Sequence, residues 1–209
     1  MLGAVLEDLD HVGLPDQLAV SAGEGMRFSI LLPIAALAGA VAGGGGGGGG
    51  GGSVVTPTLS AGFVADQPSP GPNTVAMAQG TKANDVITVN VDITDTSNVF
   101  GAAFEVVYDS VHATYLGYSA GSALEAGGNT PVYTVSNAST GRVVVGAART
   151  GGTTTNVSGT VPLIRLQFQV KASGSFPVTV QNSSLYDNQQ PTPQSLAGIS
   201  WFAGALTGV

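Results

Sequence analysis

From Val86 onward, apolar residues fall at every second position in run after run, and this period of two restricts the chain to strands that each bury one face. The cleanest run is Val86 to Ile93, where Ile87, Val89, Val91 and Ile93 point inward and Thr88, Asn90 and Asp92 point outward. Phe104, Val106 and Tyr108 share one face, with Glu105 on the other. Pro162 to Val170 places Ile164, Leu166, Phe168 and Val170 inside and Arg165, Gln167 and Gln169 outside. Further strands are expected at Val99–Tyr108, Ala113–Tyr118, Pro131–Ser136, Arg142–Ala148, Phe176–Val180 and Ile199–Ala205. One more opens at Gly62–Ala65 and resumes at Thr74–Ala78 after Pro68, Pro70 and Pro72. Asp109-Ser110 and Asn137 to Gly141 supply turn chemistry between neighbours. Eight or nine strands at intervals of roughly ten residues predict an all-β, antiparallel two-sheet sandwich. No helical period competes after Ala42. The chain has no cysteine, so its stability rests on the core; a sandwich of about 150 residues buries roughly 70% of its unfolded surface.

The first part of the chain reads differently. Residues 26–42, MRFSILLPIAALAGAVA, set one arginine before an apolar run that ends in small residues, the layout of a secretory signal cleaved before Gly43. Ala40 stands where a bacterial lipoprotein signal would carry its lipid-bearing cysteine, so lipidation is not expected. Residues 1–25 precede that signal and are expected to be a mis-called extension, with translation starting at Met26. Residues 43–61 form a glycine-rich linker that opens with ten consecutive glycines. Such a tract loses too much entropy to hold one conformation and spans roughly 15 to 20 Å as a random coil. The folded body is assigned to residues 62–209, with no membrane span in the mature chain and a secreted or cell-surface bacterial location.

Charge narrows the function. From Gly43 on, Lys82, Arg142, Arg149, Arg165 and Lys171 face eight carboxylates, so no basic stripe exists for nucleic acid. Catalysis is not expected. The body has one histidine, His112, no cysteine and no Gly-x-Ser-x-Gly elbow, and Glu105, Asp109, Glu125 and Asp187 are its candidate acid pairs. No cofactor is expected, although Asp92, Asp95, Asp109 and Asp187-Asn188 offer oxygen ligands of the type calcium takes, at spacings unlike an EF-hand loop.

Two blocks carry a family resemblance. Residues 104–121, FEVVYDSVHATYLGYSAG, place an alternating strand before Tyr108-Asp109, then a short turn, an apolar Leu116 and a closing Gly121. Residues 162–188, PLIRLQFQVKASGSFPVTVQNSSLYDN, look like the C-terminal half of the same pattern. The pair resembles cohesin modules, the jelly-roll sandwiches that hold dockerin-bearing enzymes in cellulosomes. This resemblance implies jelly-roll topology over nearly the whole mature chain and a non-enzymatic recognition role around polysaccharide or its degrading enzymes. Where type I cohesins carry dockerin-binding Asn and Asp before the Tyr-Asp pair, this chain has Gly101 and Ala103. The sequence holds one such module, so a scaffoldin is not expected. The partner is expected to be a dockerin-like protein or a polysaccharide. For the latter, Tyr115, Tyr118, Tyr133, Tyr186 and Trp201 are the candidate ligand-binding rings. A structural matrix protein without a soluble ligand is the third class.

Overall fold

Alternating strands must place their backbone N–H and C=O groups on neighbours, and eleven strands share that work in a computed structural model that describes residues 58–189 and 192–209. In chain order they are β1 (Ala61–Ala65), β2 (Thr74–Ala83), β3 (Val86–Val99), β4 (Gly101–Tyr108), β5 (Ala113–Ala120), β6 (Val132–Ser139), β7 (Arg142–Ala148), β8 (Thr155–Val170), β9 (Gly174–Tyr186), β10 (Ser200–Phe202) and β11 (Gly204–Gly208). The expected extension, the signal segment and residues 43–57 of the linker lie outside the described residues. Among those described, no helix is long and apolar enough to cross a membrane.

The strands form two sheets, one in the order β1-β11-β9-β4-β7-β6 and the other β10-β2-β3-β8-β5. All neighbours are antiparallel except β10 and β2, which run parallel. This is the expected two-sheet, jelly-roll-type sandwich, with eleven strands in place of eight or nine. The difference arises where the chain changes sheets. Ile199–Ala205 reads as one strand, but Ser200–Phe202 pairs with β2 while Gly204–Gly208 pairs with β9 and β1. Gly204 permits that step, since a Cβ there would lie 2.3 Å from the Val64 carbonyl oxygen. Gly62–Ala65 and Thr74–Ala78 likewise belong to different sheets. Val99 closes β3 instead of opening the next strand, and Phe100 makes the crossing, its N–H donating to the Tyr186 carbonyl at 2.7 Å. Period counting shows which face a residue takes but not which sheet owns it.

Pro162 does not open a strand either. β8 runs through it, because the ladder with β3 shifts register between Val91 and Asp92, just where Pro162 pairs. A residue without an N–H is tolerated at such a bulge.

The core lies between the sheets. Ile87, Val89, Val91 and Ile93 from β3 and Ile164, Leu166, Phe168 and Val170 from β8 are buried, and they face Phe104, Val106 and Tyr108 of β4. Tyr108 and Phe168 meet edge-on at a centroid separation of 5.2 Å, a favoured aromatic geometry. Truncating such a ring to alanine costs about 3–5 kcal/mol.

Asp92 departs from the solvated position expected of it. It is only 7% exposed, and its Oδ1 has no hydrogen-bond partner. Its strand is central in the sheet, and its register neighbours are Ala76 and Pro162, neither of which has a side-chain donor. Burial therefore raises the Asp92 carboxyl above its ordinary range, against the opposing pull of Arg165.

One side of the sandwich is closed by the connection from β5 to β6, which contains a short 3-10 turn at Ala126–Gly128. Ala123 and Leu124 are buried there, and Arg149 pins the segment. Its Nη1 donates to the Leu124 carbonyl at 2.6 Å, Nη2 to that of Ala126 at 2.8 Å and Nε to that of Thr153 at 2.8 Å.

Candidate functional site

The outer face of the six-stranded sheet follows from the alternation of its strands. Val143, Val145 and Ala147 are buried, so Arg142, Val144, Gly146 and Ala148 of β7 face out. On β4 the same side takes Gly101, Ala103, Glu105 and Val107, of which Gly101 is buried. Register aligns these into rows: Val132, Ala148, Gly101 and Tyr186; then Thr134, Gly146, Ala103 and Ser184; then Ser136, Val144, Glu105 and Gln181; then Arg142, Val107 and Thr179.

The rows differ in chemistry. Ala103, Gly146 and Ala148 carry almost no side chain, so the backbone approaches the surface and forms a shallow trough that ends at the buried Gly101. At Gly146 a Cβ would meet nothing nearer than 3.9 Å, so the space above this glycine is open. Beyond the trough stand Val144 and Val107, crossed by a diagonal ion pair in which Arg142 Nη1 lies 3.1 Å from Glu105 Oε2. The arrangement suits shape-complementary docking of an apolar, small-featured surface, with one charged pair to set orientation. Gly101 and Ala103 were legible as positions on this face, but the trough also needs Gly146 and Ala148 from β7. The alternation within RVVVGAA is the signal that could have revealed them.

The five candidate rings occupy several places. Tyr118, 46% exposed on β5, stands 6.4 Å from the Tyr133 ring on β6, where the two sheet edges come together. The Tyr133 hydroxyl donates to the Leu163 carbonyl at 3.0 Å, with the Gly121 carbonyl at 3.2 Å as the alternative acceptor. Tyr115 turns inward against Phe168 at 5.7 Å, and its buried hydroxyl has no partner. Burial first, then Tyr118 and Tyr108, push its phenol up to about 12. Trp201 sits on β10, the opposite edge of its sheet, packed on Phe104 at 5.4 Å. Tyr186 ends β9, where its backbone bridges to Ser195. Among the described residues, Tyr118 and Tyr133 are the only two candidate rings that neighbour each other.

The acidic candidates are also scattered. Glu105 is paired on β4, Glu125 is exposed beside the 3-10 turn, and Asp109 and Asp187 follow the ends of β4 and β9. Asp109 Oδ2 lies 2.6 Å from His112 Nδ1, its Oδ1 accepts the Val111 N–H at 2.9 Å, and the His112 ring stacks on Phe176 at 4.4 Å. The His112 bond, then the Val111 N–H, hold the Asp109 carboxyl below its ordinary range. Asp187 is lowered chiefly by the Gln194 N–H. Of the calcium candidates, Asp95 accepts the Gly159 N–H at 2.6 Å, and no three acidic, histidine or cysteine side chains gather among the described residues. A polar cleft of about 740 Å³ opens beside Asp187, lined also by Asn98, Thr153, Asn188 and Gln194.

The family model for the Cohesin domain matches residues 73–196. Among solved structures, the chain is similar to the non-cellulosomal cohesin from the hyperthermophilic archaeon Archaeoglobus fulgidus, at 19% identity over 69% of this chain and 88% of that one, with a TM-score of 0.44. It is similar to the sixth cohesin of scaffoldin B from Acetivibrio cellulolyticus, solved in complex with a dockerin mutant, at 20% identity over 68% and 97%, with a TM-score of 0.47. It is also similar to type II cohesin A11 from Bacteroides cellulosolvens, at 15% identity over 64% and 98%, with a TM-score of 0.49. No curated protein matches the chain.

Proposed function

Because the chain belongs to the cohesin domain family, a family of non-catalytic recognition modules, we propose that it receives a dockerin-type protein partner on the outer face of its six-stranded sheet. The trough of Ala103, Gly146 and Ala148 carries this reading. A protein surface gains affinity where a partner can approach closely and exclude water, and this is where the face offers least resistance. With glycine and alanine in place of polar contact residues, affinity comes from burial of Val144, Val107 and the small residues, and Glu105 and Arg142 select orientation.

The module works outside the cell, in the neighbourhood of polysaccharide-degrading enzymes, presented on the glycine-rich segment that follows the signal-like residues 26–42. A sugar platform is a weaker account, since the five candidate rings are spread over β5, β6, β9 and β10, with Tyr115 turned inward and Trp201 packed on Phe104.

The test is retention of type I and type II dockerins on the immobilised chain, with Val144→Glu beside the parent. Retention of at least one dockerin, lost by tenfold or more in Val144→Glu, is expected; a buried unpaired carboxylate at a docking centre costs that much or more. Retention on cellulose, chitin or xylan with no dockerin bound would overturn it.

A further inference from the structure

Each sheet of an open sandwich ends in two edge strands whose free backbone groups can template another strand, and folded chains normally blunt such edges with shortness, bulges, charge or proline. Three of the four edges here are blunted. β1 has 5 residues and β10 has 3. β5 breaks register between Tyr115 and Gly117. β6 is different. It spans 8 residues, VYTVSNAS, without a charge or a proline, and its one register shift with β7 falls at its end, between Ser136 and Ser139, leaving Val132–Ser136 regular, whereas the shift in β5 falls mid-strand.

Apolar surface gathers on the same side. Of six large apolar side chains left exposed among the described residues, Val132 lies on β6 while Leu116 and Tyr118 lie on β5 beside it. The geometry points to a second copy of this chain as the occupant: we infer that two copies pair β6 to β6, antiparallel, about a twofold axis through Thr134.

The strand is complementary to itself in that register. Thr134 faces its own equivalent, Val132 of one copy faces Ser136 of the other, and Tyr133 faces Val135. Outward residues meet outward residues and inward meet inward, which antiparallel pairing requires. Thr–Thr and aromatic to β-branched pairs are among the favourable cross-strand combinations, and no like charges oppose. The product is one continuous sheet across both copies, closed by symmetry because an isologous contact uses each β6 once. The contact is small, so the dimer belongs to the weak, concentration-dependent class.

The chain contains no cysteine, which allows a direct test on the full chain. On the twofold, the two Thr134 Cα atoms would stand about 4.5 to 5.5 Å apart, within disulfide reach. Mild oxidation should convert Thr134→Cys to a covalent dimer at least tenfold faster than Thr179→Cys, which faces out on β9 away from the edge. Sedimentation of the parent chain over about a hundredfold range of concentration should show the mean mass rising toward twice the monomer, as mass action requires. Thr134→Lys should shift that rise to at least tenfold higher concentration, and mixing it with Thr134→Glu should restore it. A parent that stays monomeric throughout, or equal oxidation of the two cysteine variants, would overturn the pairing. Val144→Glu should leave the dimer intact, so loss of partner binding and loss of pairing are read separately.

Discussion

Arg149 shows how much one side chain can organise. Its guanidinium is 6% exposed and spends its donors on three backbone carbonyls, tying the β5 to β6 connection to the β7 to β8 loop. Arg149→Leu keeps the apolar stem but strands those acceptors, and should lower stability by about 3 kcal/mol in a denaturant titration. Asp92 carries the opposite sign. Its folded carboxyl holds its proton to a higher pH than the ordinary 3.8 of the unfolded chain, so stability falls as pH rises through that window. Asp92→Asn should therefore raise the melting midpoint at neutral pH, with the gain vanishing in acid below the unfolded value. Tyr115 acts at the other end of the scale. An unfolded phenol ionises at 10.0 and this one at about 12, so the unfolded state sheds its proton first and stability drops across that interval. In Tyr115→Phe, thermal melts between those two pH values should show a smaller drop.

At the scale of elements, β7 decides what the outer face can do. Glycine in a strand interior costs entropy and packs nothing, yet Gly146 has ordinary extended backbone and open space above it. Gly146→Thr should therefore stabilise the fold by about 0.5 kcal/mol, measured by chemical unfolding, because threonine suits a pleated surface. The same methyl and hydroxyl fill the trough. The inward residues of β3, β4 and β8 were legible from alternation alone, since a buried face leaves a period of two in the sequence. Sheet changes at Phe100 and Ala203 were not, because they depend on close backbone approach at Gly101 and Gly204, where a Cβ would meet carbonyl oxygens at 2.7 and 2.3 Å. The trough was half legible. Gly101 and Ala103 were marked by the family pattern, whereas Gly146 and Ala148 join them only through the register of β4 with β7.

The described residues form a cysteine-free sandwich in which two continuous apolar faces supply stability and the outer surface of one sheet serves recognition. Such a division lets a rigid scaffold present a nearly flat face, so recognition depends on the small residues of that face more than on moving loops. The central claim is that the trough is the docking site. The direct measurement is calorimetric titration of a dockerin retained by the parent chain into the parent and into Gly146→Thr, with both proteins' unfolding midpoints recorded. Binding weakened by tenfold or more in a variant at least as stable as its parent is the predicted result. Undiminished binding in an equally stable Gly146→Thr would contradict the account and place the partner elsewhere on the sandwich.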